Sequence, residues 1–274
     1  MDYREYAPST ANAQWLQCLW RWRDPEPSDH VQTIYPDGRC EIILHLGAPL
    51  QARSLSGQWE AQAKRLFSGQ QRAPIQLRPG GPIDCIGIRL RPAASLLIGG
   101  DYLPGLRDRI VRLDDVQSSL DAELASFTRQ TADTDVLQAT LAEWSGASLA
   151  AASLHGIIDR IDASEGRIAL AELARGVGVS SRTLQQRFLQ QVGMTLQEYR
   201  RVLRLQSTLR RLDADDGSLA DIATDVGFSD QSHATREMMR LTGLTPARLL
   251  RALRADPDDE GTRKLAAAFV RGRA

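Results

Sequence analysis

The feature that most constrains this chain is an internal repeat, which starts at Leu170 and again at Leu219, an offset of about 49 residues. The first copy reads LAELARGVGVSSRTLQQRFLQQVGMTLQEYR, and the second reads LADIATDVGFSDQSHATREMMRLTGLTPARLL. In both copies a short stretch with apolar residues at three- and four-residue steps is followed by a glycine, Gly178 or Gly227, and then by a second such stretch. A short helix, a tight turn and a second helix, written twice, predict two helix-turn-helix units in tandem.

The first unit divides into a predicted core and a predicted exposed edge. Apolar residues at helical spacing form the core: Leu170, Leu173, Ala174, Val177, Leu184 and Phe188. Ser180 or Ser181 is a suitable N-cap for the second helix. Arg182, Gln185 and Gln186 remain outside, near the start of that helix. Because an arginine fork matches guanine and a glutamine amide matches adenine in the major groove, these three residues are predicted to read bases.

The second unit repeats this division. Its predicted core consists of Leu219, Ile222, Ala223, Val226, Ala234 and Met238. Ser229 or Asp230 is the predicted N-cap of its second helix. The residues left outside on that helix are Gln231, Ser232, His233 and Arg236. They form the edge that corresponds to Arg182, Gln185 and Gln186 of the first unit.

A helix is predicted between the two units, at residues 196–212. Its polar face carries five arginines: Arg200, Arg201, Arg204, Arg210 and Arg211. Such a face either contacts DNA phosphates or is simply solvated, and the sequence leaves both interpretations open. The residues predicted to contact phosphates are Ser180, Arg200, Arg204, Ser229 and Arg240.

The first half of the chain has the patterns of β-structure. Apolar runs at 31–35 and 40–46 flank the turn Pro36-Asp37-Gly38, which predicts a hairpin. Further strands are predicted at 58–64, 66–67, 73–77 and 83–90, while residues 1–29 fit strand and helix equally. From Pro92 the period becomes helical, with helices predicted at 92–98, 120–127, 136–144 and 149–161.

These elements predict an α+β fold in two domains. Residues 1–152 are expected to form a small β-barrel or sandwich with flanking helices, acting as a sensor or dimerisation domain. Residues 153–254 are expected to form an all-α domain of two helix-turn-helix units joined by a linker helix. Residues 255–274 are expected to be a tail.

Composition narrows the class of protein. The 34 basic and 34 acidic residues give a net charge of zero, but residues 1–152 hold 15 against 18 and the remainder 19 against 16, so the second half is the basic one. Three widely spaced cysteines, Cys18, Cys40 and Cys85, form no CxxC pair and are expected to be buried thiols. No apolar run approaches the roughly 18 residues of a membrane span, and no signal peptide opens the chain, so a cytoplasmic location is expected.

No motif supports an enzyme, a cofactor site or a metal site. The four histidines lack metal-ligand spacing, and the chain has no GxSxG, HExxH or glycine-rich phosphate loop. His45, Asp84 and Arg89 stand beside apolar strand residues. They either line a ligand cavity or lie on a solvated face of the strands, and both interpretations are open.

The repeat resembles the signature segment of AraC/XylS-type bacterial transcription regulators over about residues 155–253. The pieces that carry the resemblance are Asp221-Ile222-Ala223, Val226-Gly227-Phe228-Ser229, Gln231-Ser232-His233 and Gly243-Leu244-Thr245-Pro246. The first half is more faintly similar to a domain found fused to such modules, through YREYAPS, YPDGRCEIILHLG and GIRLRPAA. The resemblance implies that the second helix of each unit enters one of two successive major grooves, about one helical turn apart. By position it implies base reading by Arg182, Gln185 and Gln186 in one groove and by Gln231, Ser232 and Arg236 in the other, and it assigns no such role firmly to His233.

The chain departs from that family pattern at three positions. Ala234 stands where a large aromatic residue is common, and Leu189 and Met239 stand where lysines are common. The first departure predicts a looser, less stable second unit. The other two remove charges that would contact phosphates, which predicts a weaker salt-dependent affinity.

The resemblance implies double-stranded DNA as the partner. It also admits RNA polymerase, a small-molecule effector and a second copy of the chain, and no membrane is expected. Two alternatives stand beside it. One is a ligand-binding or protein-interaction module with weakened DNA binding, motivated by the three departures. The other is a cysteine-dependent DNA alkylation repair enzyme, which would need four clustered cysteines holding zinc.

Overall fold

The fold places a six-stranded sheet between a layer of helices and a second, smaller sheet, with a helical region following. The computed structural model describes residues 2–145, 154–214 and 217–254. The predicted boundary at 152/153, the start of the helix predicted at 149–161 and the tail at 255–274 lie outside these ranges. Within them, no helix is long and apolar enough to cross a membrane.

Ten strands form the two sheets. They are β1 (Asp2–Tyr6), β2 (Leu16–Asp24), β3 (Gln32–Ile34), β4 (Glu41–His45), β5 (Gln51–Arg53), β6 (Trp59–Ala61), β7 (Arg65–Ser68), β8 (Ile75–Arg78), β9 (Ile83–Leu90) and β10 (Ile110–Arg112). The larger sheet has the order β1-β2-β9-β4-β7-β10, and the smaller has the order β3-β8-β5-β6. All eight residues of β9 are buried, because this strand is central and both faces of its sheet are covered.

The predicted hairpin at 31–46 is wrong in its pairing. Both strands exist, but β3 pairs with β8 of the smaller sheet while β4 pairs with β7 and β9 of the larger one. The turn at 36–38 therefore carries the chain from one sheet to the other. A turn signal specifies a local reversal, whereas the choice of strand partner depends on which faces are buried together.

Ten helices complete the described chain, with two 3-10 segments at Pro92–Ser95 and Gly100–Leu106. The helices are α1 (Leu96–Gly99), α2 (Ser118–Leu124), α3 (Thr134–Ser145), α4 (His155–Ala163), α5 (Leu170–Gly176), α6 (Ser181–Val192), α7 (Leu196–Asp213), α8 (Leu219–Asp225), α9 (Gln231–Thr242) and α10 (Pro246–Arg254). The helix predicted to begin at Pro92 begins there as a 3-10 turn and becomes α-helical only at Leu96.

Strand alternation assigns side chains to the two faces of the larger sheet. One face, with Leu19 and Ile86, packs against α2 and α3. The other face, with Trp20 and Trp22, packs against apolar residues of the smaller sheet such as Leu77. The predicted sandwich with flanking helices is confirmed, with α2 and α3 on the side of the larger sheet.

His45, Asp84 and Arg89 are all buried, with exposed fractions of 6%, 4% and 1%, so the interpretation that they lie on a solvated face is wrong. Arg89 Nε donates to a Glu41 carboxylate oxygen at 2.7 Å. The Arg21 guanidinium donates to both Asp84 oxygens, at 3.0 and 3.2 Å. The sequence indicated the alternation of these strands, but not that other parts of the chain cover the polar face as well.

The C-terminal region has two separate cores, one for each predicted unit. The first is built around Leu184 and Phe188, and the second around Ala234 and Met238, all four fully buried. Helix α7 contributes Tyr199 and other side chains to the first core and Leu209 and others to the second. The predicted arrangement of two units joined by a helix is confirmed.

His45 should make the N-terminal domain sensitive to acid. Burial lowers the pKa of this imidazole to about 4, while a hydrogen bond with Gln62 opposes the shift. The unfolded chain, with a histidine pKa near 6.5, takes up the proton first, so stability present above pH 6.5 is lost as the pH falls towards 4. We expect the unfolding free energy to drop by up to roughly 3 kcal/mol in that window through this group.

Urea denaturation of the wild type and of His45→Gln between pH 7 and 4 measures this effect. The variant should have the shallower pH dependence. His30→Gln is the matched control, because His30 is exposed. Equal slopes for wild type and His45→Gln would contradict the prediction.

Any side chain at Gly87 of β9 should destabilise the N-terminal domain. A Cβ atom at this position would lie 1.9 Å from Trp20 Cε2 and 2.1 Å from Cζ2. The indole cannot move away freely, because it is buried and its Nε1 donates to Glu41 at 3.1 Å. We expect Gly87→Ala to lower the unfolding free energy by about 2–3 kcal/mol, read from the denaturation midpoint at constant slope. Gly105→Ala, where no atom lies within 4 Å of the added carbon, should leave the midpoint nearly unchanged.

Candidate nucleic-acid interface

The first unit has the local geometry that its sequence predicts. Gly178 adopts a φ of +66° in the turn between α5 and α6, a conformation that favours glycine. Ser180 is the N-cap of α6, and its hydroxyl accepts a hydrogen bond from the Thr183 N–H at 3.1 Å. Val177, expected in the core, is 43% exposed, so that prediction is wrong. Because α5 ends at Gly176, Val177 no longer follows the helical stripe.

The second unit uses the same plan with a different cap. Gly227 adopts a φ of +86° in the turn, and the Asp230 carboxylate accepts from the His233 N–H at 2.7 Å at the start of α9. Ser229, the other candidate cap, lies 3.2 Å from His233 Nδ1 through its hydroxyl. The His233 ring also packs edge-on against Phe228, at 5.4 Å between ring centroids. The His233 side chain is therefore engaged in contacts with Ser229 and Phe228 of the turn before α9.

Helices α6 and α9, here called the reading helices, each present an exposed polar edge. On α6 this edge consists of Arg182, Gln185 and Gln186, and on α9 it consists of Gln231, Ser232 and Arg236. All six side chains are exposed, whereas the opposite faces of both helices lie in the two cores. Each predicted trio is thus brought together on one helix surface. Its contact with bases stays a prediction.

The arginines of α7 make contacts within the fold that the sequence did not indicate, and their contact with phosphates stays a prediction. Arg200 donates from Nε to the Gly166 carbonyl at 2.6 Å and from Nη2 to the Ile168 carbonyl at 2.7 Å. Arg204, one turn later, donates to the Gly227 carbonyl at 3.2 Å and lies over the Phe228 ring at 5.2 Å. Each guanidinium thus uses some of its five N–H donors to hold carbonyls of the fold.

The remaining arginines of α7 are paired with carboxylates. Arg210 and Arg211 both lie near Glu165, at 3.2 and 3.6 Å, and Arg211 also pairs with Asp225 at 3.0 Å. Arg201 lies 3.4 Å from Glu237 of α9. The simple solvation that the sequence allowed does not describe these side chains, since they join α7 to both units.

The other residues predicted to contact phosphates lie at the ends of the reading helices or beside them. Ser180 and Ser229 are exposed at the starts of α6 and α9, where backbone N–H groups and the helix dipole favour an anion. Arg240 is half-exposed and shares Glu237 with Arg201, at 3.0 Å. These positions leave room for a phosphate backbone, and the contact stays a prediction.

The two units also touch each other directly. Arg167, in the loop before α5, donates to the Asp225 carbonyl at the end of α8 at 2.8 Å. Its aliphatic stem lies 3.5 Å from the position that a Gly227 Cβ would take. A Cβ there would be in ordinary van der Waals contact with that stem, so the turn and not the approach of Arg167 requires the glycine.

Ala234 is the small residue that stands in the second core where the family pattern has a large aromatic one. It is fully buried beside Met238 and Phe228. Tyr35 of the N-terminal domain packs against this same core. The lower stability expected of the second unit stays a prediction. Tyr35 thus adds an aromatic ring to this core from another domain, and the sequence of the repeat alone could not indicate that contact.

The three cysteines are buried and free, as predicted. Burial raises the pKa of Cys18 and that of Cys40 to about 12, and it also raises the pKa of Cys85. A thiol that stays protonated is a poor nucleophile. Within the described residues no cluster of metal-binding side chains exists. These environments do not favour the alkylation repair alternative.

A small cavity of about 60 Å³ lies between the two sheets. Its walls are mostly apolar, and they include Trp22, Ile34 and Ile43. Glu41 and Gln62 are among its few polar walls. The Trp22 Nε1 is buried and has no hydrogen-bond partner in the described part of the chain.

An all-α domain with two such units defines the class of helix-turn-helix DNA-binding transcription regulators. Two family models match the chain: a helix-turn-helix domain over residues 173–252, and a domain of unknown function, DUF6597, over residues 4–112. The chain belongs to the AraC/XylS-type helix-turn-helix proteins and carries an N-terminal domain of the second kind.

Among curated proteins, the chain is similar to the HTH-type transcriptional activator RhaR of Escherichia coli strain K12, with 34% identity over 95 residues. That match covers 34% of this chain and 34% of RhaR, so the chain spans about a third of the length of the curated relatives it matches.

Two solved structures are also similar. One is a transcriptional regulator with an AraC-type DNA-binding domain from Chromobacterium violaceum, which is 31% identical, with 36% of this chain and 89% of that chain covered and a TM-score of 0.33. The other is ToxT from Vibrio cholerae, which is 10% identical, with 91% of this chain and 98% of that chain covered and a TM-score of 0.44.

Arg200 provides a direct test between the structural role and the phosphate role. If its guanidinium mainly holds the carbonyls at 166–168, Arg200→Gln should lower the unfolding free energy of the C-terminal domain by about 1–3 kcal/mol. The salt dependence of DNA binding should then change little. Arg175→Gln, an exposed arginine of α5, is the control for stability. A stable Arg200→Gln variant with a smaller salt slope would instead assign Arg200 to a phosphate.

Proposed function

We propose that this protein is a sequence-specific transcription regulator, in which α6 and α9 read two successive major grooves of double-stranded DNA. The observation that carries the proposal is the division of both reading helices into a buried apolar face and an exposed arginine and glutamine edge. A major groove admits one helix, and edges of this kind match base donors and acceptors. We also propose that the protein acts in the cytoplasm and has no catalytic activity.

The edges assign base reading to Arg182, Gln185 and Gln186 in one groove, and to Gln231, Ser232 and Arg236 in the other. Ser180, Ser229 and Arg240 are assigned to the flanking phosphates. Arg200 and Arg204 keep that assignment only as secondary contacts, because both already donate to backbone carbonyls.

Regulation by a small molecule is the second part of the proposal. The cavity between the sheets would suit an uncharged, largely apolar molecule with one acceptor for the Trp22 Nε1. Its volume of about 60 Å³ is well below the roughly 150 Å³ that accommodates benzene in a protein core. Binding would therefore require the two sheets to separate. Contact with RNA polymerase and pairing with a second copy of the chain belong to the proposal as further steps.

Selection of bound DNA from a random pool tests the proposal. A bipartite motif with half-sites about one helical turn apart is the expected result. A pool that stays random would favour the alternative of an interaction module with weakened DNA binding.

Arg182→Ala and Arg236→Ala should each relax the preference for one base in a different half-site. Losing a guanidinium that contacts a guanine should cost about 1–3 kcal/mol in affinity for the selected site. Competition binding against sites with each base at every position measures this loss. Arg187→Ala is the matched control, since Arg187 is an exposed arginine of α6, the helix that carries Arg182, and is not one of the residues assigned to base reading. Unchanged base preferences in both variants would contradict the assignment.

A further inference from the structure

The turn at residues 35–39, here called the inter-sheet turn, lies at the surface of the N-terminal domain. It contacts side chains that belong to the cores of both helix-turn-helix units. We propose that this turn fixes the orientation of the two reading helices relative to each other, so that the N-terminal domain determines which half-site spacing is accepted. The proposal rests on the proposed function, since it concerns how the two reading helices act together on one DNA.

The first contact is made by Arg39 with the first unit. Its Nη1 donates to the Tyr199 hydroxyl of α7 at 2.7 Å, and its Nη2 donates to Asp162 of α4 at 3.1 Å. The Tyr199 hydroxyl itself donates to Asp162 at 2.8 Å, which closes a triangle of hydrogen bonds. Tyr199 is fully buried and the Arg39 side chain is 8% exposed, so water does not screen this contact.

The backbone of the turn fits closely against the same helix. Gly38 has a φ of +77°, and a Cβ on it would lie 2.9 Å from the Tyr199 ring. Farther along α7, the Gln206 side chain donates to the Pro36 carbonyl at 2.6 Å. The turn therefore touches α7 at two points, about two helical turns apart.

The second unit is reached by Tyr35. Its ring packs against the core that also holds Ala234 and Met238, under helix α9. Four of the five residues of the inter-sheet turn thus contact the C-terminal helices. Tyr35 packs against the core of the second unit, Pro36 and Gly38 lie against α7, and Arg39 binds α7 and α4. Within the described chain, α7 is held to the N-terminal domain along much of its length.

The length of α7 makes this contact matter for DNA. Its 18 residues extend for about 27 Å at 1.5 Å per residue. A tilt of the whole helix by about 10° about one end displaces the other end by roughly 5 Å, more than the ~3.4 Å between successive base pairs. Holding α7 and both units at one surface therefore decides which half-site spacing both reading helices reach together.

The inter-sheet turn is also joined to the interior of the N-terminal domain. It connects β3 with β4, and both strands line the cavity, through Ile34 and Ile43. Arg89, which donates to Glu41 of β4, lies 3.9 Å from the Asp37 carboxylate of the turn. A molecule that separated the sheets would move β3 and β4, the strands that the turn connects. The contact of Arg39 with Tyr199 of α7 would move with them.

Arg39→Gln in the full chain tests the proposal. The probes are the DNA site selected by the wild type, the same site with one base pair inserted or removed between the half-sites, and a single half-site. We expect the wild type to prefer its own spacing by at least tenfold. The variant should lose most of that preference while its affinity for the single half-site stays within about twofold. Arg112→Gln, an exposed arginine of β10 far from the turn in sequence, should behave as the wild type.

Tyr199→Phe gives the same test with a smaller change, because it removes only the hydroxyl that Arg39 contacts, and it serves if Arg39→Gln does not fold. The double variant should be no worse than either single one, since both break the same triangle. Retention of the wild-type spacing preference in a folded variant would overturn the proposal. A wild type that selects no bipartite site would instead refute the proposed function, so the two failures can be told apart.

Discussion

Helix α7 and the backbone carbonyls that its arginines bind are the constraint on which the C-terminal domain depends. Arg200 holds the loop before the first unit, and Arg204, one turn later, holds the turn of the second. Each interaction is a charge-assisted hydrogen bond to a backbone carbonyl in a loop between helices. The two reading helices face outward together because one helix fixes the loops of both units.

The N-terminal domain depends on a comparable device. Its larger sheet is covered on both faces, so polar residues of central strands have no access to water. Glu41 and Arg89 therefore pair with each other, and Asp84 pairs with Arg21. Burial raises the pKa of Asp37, at the edge of this network, to about 6, and the nearby Arg89 partly offsets the effect. Removing one of these charges would leave another buried and unpaired, which strongly destabilises a fold.

The two domains are joined by side chains whose importance no local pattern indicates. Glu198 illustrates this. Its carboxylate completes a capping box with Thr195 at the start of α7, as the sequence TLQE would suggest. The same carboxylate accepts hydrogen bonds from Arg72 and Arg107 of the N-terminal domain, at 3.2 and 3.4 Å. One residue thus has a role that sequence spacing predicts and another that only the fold creates.

The sequence by itself determined the tandem units, their turn glycines, two candidate caps for each unit and the exposed edges of α6 and α9. All of these depend on residues within one or two helical turns of each other, where spacing settles which side chains meet. Only the tertiary structure decided that β3 and β4 lie in different sheets and that Arg200 and Arg204 bind carbonyls. It also decided that Arg39 meets Tyr199, a partner 160 residues away. Contacts at such separations depend on how helices and strands pack against each other, and the spacing of residues along the chain does not indicate that packing.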